Sequence, residues 1–317
     1  MSERKVPTGR YLVTGGAGFI GSHLCEKLLQ SGSQVVAVDN LITGNLRNLK
    51  NFENNPKFEL IRQDITGRLE ILGNFDGIFH LASPASPVDY AEFPIETLRV
   101  GSYGSEHVLE MAKKSKCRVL VASTSEIYGD PQQHPQKESY WGNVNSIGPR
   151  SCYDESKRFL EALTMAYHRV FGLQTRIIRI FNTYGPRMRE NDGRVVPNFC
   201  MQALRGESIT IYGEGKQTRS FCYVSDLVEG ILATFLGDSH LPINLGNPTE
   251  FTIADFAKKI IALTGSRSEL VHKPLPEDDP QLRCPDITKA RTELNWEPKV
   301  PIDEGLAKTI EYFRQLV

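Results

Sequence analysis

No apolar run in the 317 residues reaches about 18 residues, the length a membrane-crossing helix needs. The six cysteines (Cys25, Cys117, Cys152, Cys200, Cys222, Cys284) form no C-x-x-C pair, and the seven histidines show no H-x-x-x-H spacing. Neither a disulfide framework nor a metal site is therefore expected. An excess of one charge is missing too. A formal net charge of −1 excludes a general attraction to nucleic acid or an anionic membrane. There is no internal repeat and no low-complexity tract. Met1 to Arg10 is polar and lacks the apolar core of a signal peptide, so the expectation is a soluble, cytoplasmic protein. What is present is ordinary for a globular enzyme, with 40% apolar and 24% charged residues.

The order of patterns points to an α/β chain. Short β-rich runs at 10–14, 34–39, 58–62, 77–81, 118–123 and 175–180 alternate with longer amphipathic stretches, such as 21–30, 100–114 and 156–170. Such alternation builds a doubly wound parallel sheet. From about Gly185 the texture changes to Gly, Pro and Arg with short segments such as 209–212, which predicts a smaller α+β lobe. The runs 223–236 and 242–245 are expected to return to the first lobe, and 274–285 to form a loop over a cleft.

The run from Tyr11 to Gly21 spaces Gly15, Gly18 and Gly21 as G-x-x-G-x-x-G, after a strand and at the opening of a helix. Glycine permits a sharp turn and a close backbone approach to a pyrophosphate, whose charge the helix N-terminal amides meet. The second strand ends at Asp39, whose carboxylate suits adenosine ribose hydroxyls and repels a 2′-phosphate. NAD is therefore favoured over NADP. Phe19, Ile20, Asn40, Thr43 and Gly44 flank these groups. Asp64 and Ile65 follow the third strand as candidates for the adenine edge, and Leu81 and Ser83 stand at the end of the fourth, where small residues let a cofactor cross the sheet edge. No metal is called for.

Tyr153 and Lys157, at i and i+4 on one helix, share a face. The ammonium of Lys157 is expected to favour the Tyr153 phenolate, lowering a pKa normally near about 10. A tyrosine so tuned takes a proton from a sugar hydroxyl. Upstream stands Ser125-Glu126 at the end of a strand, where such sheets bind ligands.

Together with the run from Arg179 to Arg187, these motifs resemble the extended short-chain dehydrogenase/reductases that remodel nucleotide sugars. The segments 123–129, 148–157, 191–196, 217–221 and 278–286 resemble the UDP-glucuronate decarboxylase (UDP-xylose synthase) family within that group. The resemblance covers nearly the whole chain. It implies a Rossmann-type doubly wound sheet over 1–184, rejoined by 222–247. The nucleotide-sugar lobe then lies mainly in 185–221 and 248–317. Sister dehydratases carry Asp-Glu where this chain has Ser125-Glu126, and serine is a poor acid for expelling a hydroxyl. Related 4-epimerases typically lack the glutamate.

The resemblance implies a reaction on UDP-glucuronate with tightly bound NAD. Tyr153, Lys157, Glu126, Ser125 and Arg283 are the catalytic set. Glu126 would supply or relay the proton to C5 after carbon dioxide leaves. Asn182, Arg194, Asn198, Tyr212, Gln217, Arg219 and Arg283 are the substrate set, with Arg219 on the diphosphate. A 4-epimerase, an oxidative decarboxylase releasing UDP-4-keto-pentose, and a non-catalytic NAD-sensing protein are the competing readings. The family pairs two helices per subunit into a homodimer, here 100–114 and 156–170. Two positions depart from its pattern: Gly101, where asparagine is usual, and His107.

Overall fold

The computed structural model describes residues 6–67, 69, 71–275 and 282–317. The β-rich runs become strands β1 (Arg10–Thr14), β2 (Gln34–Asp39), β3 (Phe58–Arg62), β4 (Gly77–His80), β5 (Arg118–Thr124) and β6 (Thr175–Ile180). Between them run α1 (Phe19–Gln30), α2 (Pro87–Glu92), α3 (Pro94–Arg99), α4 (Ser105–Ser115) and α5 (Ser151–Phe171). Then follow β7 (Thr183–Tyr184), α6 (Val195–Arg205), β8 (Ile209–Tyr212), β9 (Thr218–Ser220), β10 (Cys222–Tyr223), α7 (Val224–Leu236) and β11 (Ile243–Leu245). The chain closes with β12 (Glu250–Thr252), α8 (Ile253–Thr264), β13 (Leu270–Lys273), β14 (Leu282–Arg283), α9 (Thr288–Leu294) and α10 (Ile302–Arg314).

Seven parallel strands form one sheet in the order β11-β6-β5-β4-β1-β2-β3. Helices cover both faces, which is why β1, β2 and β4 read as nearly continuous apolar runs rather than alternating ones. The order reverses direction between β1 and β4, so a crevice opens at the carboxyl ends of those strands. On one face Tyr11 and Phe79 pack against Phe235 of α7, with 4.4 Å between the rings of Phe79 and Phe235. The smaller sheets lie beyond: β12-β9-β14, β13 beside β8, and β10 beside β7. Phe221 stacks on Phe256 of α8 at 4.1 Å to anchor them.

Three helices differ from the sequence reading. α1 begins at Phe19 rather than 21, because Gly18 in extended geometry is its N-cap. The helix expected over 156–170 begins at Ser151, so α5 carries Tyr153 as well as Lys157. The stretch 100–114 is not one regular helix: a π-helical turn, Val100–Gly104, joins α3 to α4. A buried chain holds that turn. Thr14 meets His80 at 2.7 Å, His80 meets the Ser105 hydroxyl at 3.1 Å, and that hydroxyl donates to the Val100 carbonyl. Burial keeps His80 neutral, with its pKa pushed down to about 3. Part of the 278–286 motif and of the loop expected over 274–285, residues 276–281, lies outside the described residues. Among the described residues no helix is long and apolar enough to cross a membrane.

Candidate active site

A cleft of about 700 Å³ runs along the carboxyl ends of the sheet and under the smaller lobe. That size suits a ligand with several rings. At its inner end Gly15 has φ +73°, and a Cβ there would lie 2.8 Å from the Ala82 nitrogen. At Gly21 a Cβ would lie 2.0 Å from the Gly15 carbonyl oxygen, so the turn and α1 touch backbone to backbone. This cradle accepts only glycine at both positions, and it aims the first amides of α1 into the cleft.

Asp39 closes the cradle. Its Oδ2 accepts from the Ala17 amide at 2.9 Å and its Oδ1 from Leu41 at 2.8 Å. With the Gly18 amide also directed at it, the carboxylate keeps a lone pair for a ligand hydroxyl. Gly44 is the one expected cofactor residue that does not line the cleft; it lies behind Asp39, where a Cβ would fall 2.6 Å from the carboxylate. Asp64 Oδ2 accepts from the Asn40 amide at 3.0 Å, and the Ile65 carbonyl accepts from His107 at 2.9 Å. The atypical His107 thus anchors the loop after β3. Phe19, Ile20, Thr43, Leu81 and Ser83 also face the cleft.

At the centre, α5 presents Tyr153 and Lys157 on one face, as i, i+4 spacing requires. The expected lowering of the Tyr153 pKa is not found. Burial pushes the phenol up to about 12, against a hydrogen bond shared with Thr124. Lys157 Nζ donates to the Ala122 carbonyl at 2.9 Å and stands 5.7 Å from the Tyr153 ring centre. Burial lowers its own pKa to about 8. Desolvation of both groups outweighs their attraction at that separation.

Glu126 follows β5 in a short 3₁₀ turn capped by Thr124. Its Oε1 meets Arg283 at 2.5 Å, and its Oε2 accepts from Arg150, also at 2.5 Å. Although burial opposes it, the two guanidiniums hold the carboxyl well below the usual carboxylate range. The free protein therefore keeps Glu126 as a fixed anion, so the proton-donor role expected for it is not its resting state. Arg283 is buried; it also donates to Ser125 Oγ at 3.2 Å and to the Gly129 carbonyl at 3.1 Å. Parallel pairing of β14 with β9 sets Arg283 in register with Arg219.

Of the substrate set, Arg194 is gripped by Asp192, and its charge acts to lower the Tyr153 pKa. Asn198 donates to the Gly193 carbonyl at 3.0 Å, and Gln217 to the Tyr212 carbonyl at 2.7 Å. Arg219 donates to the Thr218 carbonyl at 2.9 Å, and Asn182 completes the wall. All seven line the same cleft.

Sequence reasoning missed two groups. Tyr90 of α2 stacks on Tyr153 with ring centres 5.1 Å apart and planes 11° apart, fixing the phenol's plane. Arg150 lies 5.9 Å from the Tyr90 ring while it holds Glu126. Arg150 stands within the 148–157 segment, three residues before Tyr153, and its position just ahead of α5 is the signal that could have found it. Tyr90 left none.

The model of the GDP-mannose 4,6 dehydratase family matches residues 12–309. UDP-glucuronic acid decarboxylase 1 of Xenopus tropicalis is 53% identical over 306 residues, 96% of this chain and 72% of that protein. UDP-glucuronic acid decarboxylase 6 of Arabidopsis thaliana is also 53% identical, over 96% of this chain and 89% of its own length. Among solved structures, the UDP-glucuronic acid 4-epimerase of Bacillus cereus, in complex with UDP-glucuronic acid and NAD, aligns with TM-score 0.88. It is 29% identical, over 97% of this chain and 100% of that one. UDP-glucose 4-epimerase of Thermotoga maritima aligns with TM-score 0.89 at 33% identity, over 97% and 99%.

Proposed function

The chain belongs to the UDP-glucuronic acid decarboxylases within the GDP-mannose 4,6 dehydratase family, and on that premise we propose that it converts UDP-glucuronate to UDP-xylose through a UDP-4-keto intermediate. The observation that carries this reading is the Arg150–Glu126–Arg283 cluster beside Tyr153, with serine rather than an acid at position 125.

The glycine cradle, the α1 amides and Asp39 fit a dinucleotide, and Asp39 opposes a 2′-phosphate, so the cofactor is NAD rather than NADP. Bound NAD⁺ supplies the oxidant at sugar C4 and, once reduced, the reductant that restores it. Tyr153 takes the proton of the C4 hydroxyl, with Lys157 as the nearby cation. The resulting 4-ketone makes the sugar carboxylate a β-keto acid. As the C5–C6 bond breaks and carbon dioxide leaves, its electron pair moves into the carbonyl. The protonated Tyr153 then donates to the enolate oxygen.

The incoming substrate carboxylate competes with Glu126 for the same guanidiniums. Once Arg283 or Arg150 turns to the substrate, the Glu126 pKa rises toward its ordinary value, and Glu126 can take up a proton and deliver it to C5. Its acid role is thereby tied to an occupied site. Arg219 suits the diphosphate, because a planar fork matches its oxygens. Tyr212 and Gln217, which line the same cleft, are assigned to the uridine.

Six free cysteines suit a reducing, cytoplasmic compartment. Exposed Leu98, Tyr103 and Phe159, on or beside the helices named for pairing, support a homodimer. The division into a cofactor lobe and a sugar lobe follows the cradle on one side and β9, β12 and β14 on the other.

The test is proton NMR of UDP-glucuronate incubated with the protein and catalytic NAD⁺. UDP-xylose is the expected product. UDP-galacturonate would establish the epimerase reading instead, and UDP-4-keto-pentose with stoichiometric NADH would mean that hydride return is missing.

A further inference from the structure

Outside the cleft, three potential metal donors from distant parts of the chain meet: His134, Glu250 and Cys284, whose ligand atoms all lie within 4.8 Å of one another. Backbone ties fix each of them. The Gln136 amide donates to the Cys284 carbonyl at 2.9 Å, and the Cys284 amide donates to Gln136 Oε1 at 2.9 Å. Buried Gln136 thus locks the loop that carries His134 against the end of β14. Glu250 opens β12, whose partner β9 also pairs with β14. His134 Nε2 meets Glu250 Oε2 at 2.9 Å, and Glu250 Oε1 accepts from the Thr218 hydroxyl at 2.5 Å. The Cys284 thiol is free and points to the Pro248 carbonyl at 3.3 Å.

We propose that His134, Glu250 and Cys284 form a binding site for a borderline-soft divalent ion of the zinc class, and that occupancy restrains Arg283 and lowers turnover. Imidazole, carboxylate and thiolate are the donors such an ion prefers, and a water would complete a tetrahedron. At metal–ligand distances of about 2.0–2.3 Å, tetrahedral donors stand roughly 3.3–3.8 Å apart. The His134–Glu250 pair therefore opens by under about 1 Å, and the separations to Cys284, all within 4.8 Å, close by at most about 1.5 Å. The ion binds the thiolate, so binding exchanges the Cys284 thiol proton for the ion and affinity rises with pH.

The coupling to the cleft is covalent and short. Cys284 follows Arg283 directly, and Glu250 bonds Thr218, the neighbour of Arg219. A shift of the Cys284 sulfur draws on the end of β14, and Arg283 there holds Glu126 at 2.5 Å.

The experiment titrates the full-length protein, in metal-free buffer, with Co²⁺ and separately with Zn²⁺. Co²⁺ reports a thiolate ligand by near-ultraviolet charge-transfer absorption. The expected result is a band saturating at one ion per chain, absent in Cys284→Ser and shifted at least tenfold to weaker binding in His134→Ala. Circular dichroism and urea unfolding establish that both variants are folded. No band in the wild type, or an unchanged band in both variants, overturns the site.

In the activity arm, which rests on the proposed decarboxylation, Zn²⁺ lowers turnover of the wild type. His134→Ala keeps the basal rate and needs at least tenfold more Zn²⁺ for the same inhibition. Equal sensitivity of the two proteins overturns the coupling to Arg283. The cobalt band needs no substrate, so failure of the site and failure of the assigned reaction are told apart.

Discussion

Replacing Glu126 by glutamine isolates the charge of the Arg150–Glu126–Arg283 cluster. The substitution keeps the side chain's size and one acceptor oxygen but removes the anion that two guanidiniums share. Removing one partner from a buried ion pair costs about 3–5 kcal/mol. Glu126 and Arg150 keep 18% and 16% of their side-chain surface exposed, which moves the figure down. Glutamine still accepts one bond, so about 2–3 kcal/mol is expected near pH 7. With a urea dependence of about 3 kcal/mol per molar, the unfolding midpoint falls by roughly 1 M. Buried Trp296 is the fluorescence reporter.

The pH dependence has a fixed sign. The folded-state pKa of Glu126 is depressed, so its stabilisation is fully present above its unfolded value of 4.5. It is lost as pH falls through the folded value, and each unit below the unfolded pKa removes about 1.4 kcal/mol. The gap between wild type and Glu126→Gln therefore shrinks by half or more between pH 7 and pH 3. A midpoint shift under roughly 0.2 M at pH 7, or a gap unchanged at pH 3, would refute the account of Glu126 as a clamped anion.

Three further outcomes are expected. Tyr153→Phe should bind NAD normally while losing about 10³-fold or more in turnover; carbon dioxide release at the wild-type rate would remove Tyr153 from the chemistry. Asp39→Asn should weaken NAD and NADP alike, because Asp39 also holds the Ala17 and Leu41 amides; a clean switch to NADP with unchanged affinity, measured by calorimetry, would contradict this. Gly101→Asn should destabilise by about 1–3 kcal/mol, because its Cβ would sit 2.6 Å from Ser156 Cβ; adding Ser156→Gly should recover part of the loss, and failure to do so in urea melts would place the strain elsewhere.

The sheet was legible because parallel strands covered on both faces leave uninterrupted apolar runs, and the cradle because close backbone contact forces glycine at fixed spacing. Tyr153 and Lys157 could be placed on one face by helical period alone. Their titration could not, since it depends on depth of burial and on the distance from Lys157 to the ring, which no spacing encodes. Arg150 and Tyr90 escaped for a related reason: one acts through an ion pair across a loop, the other through ring stacking between separate helices. The π-helical turn at Val100–Gly104 was hidden because its sequence still fits a helix. Gly101 marks where that turn touches α5, and Ser156 fills the space that a larger residue at 101 would take.

The register of β14 against β9 makes a calliper of the smaller lobe. Arg219 and Arg283 are register partners on neighbouring strands, whose backbones lie about 4.8 Å apart. On the assignment proposed above, with Arg219 at a diphosphate and Arg283 at a carboxylate, selectivity is metric: it rewards a given distance between two anionic ends and is indifferent to much of what lies between.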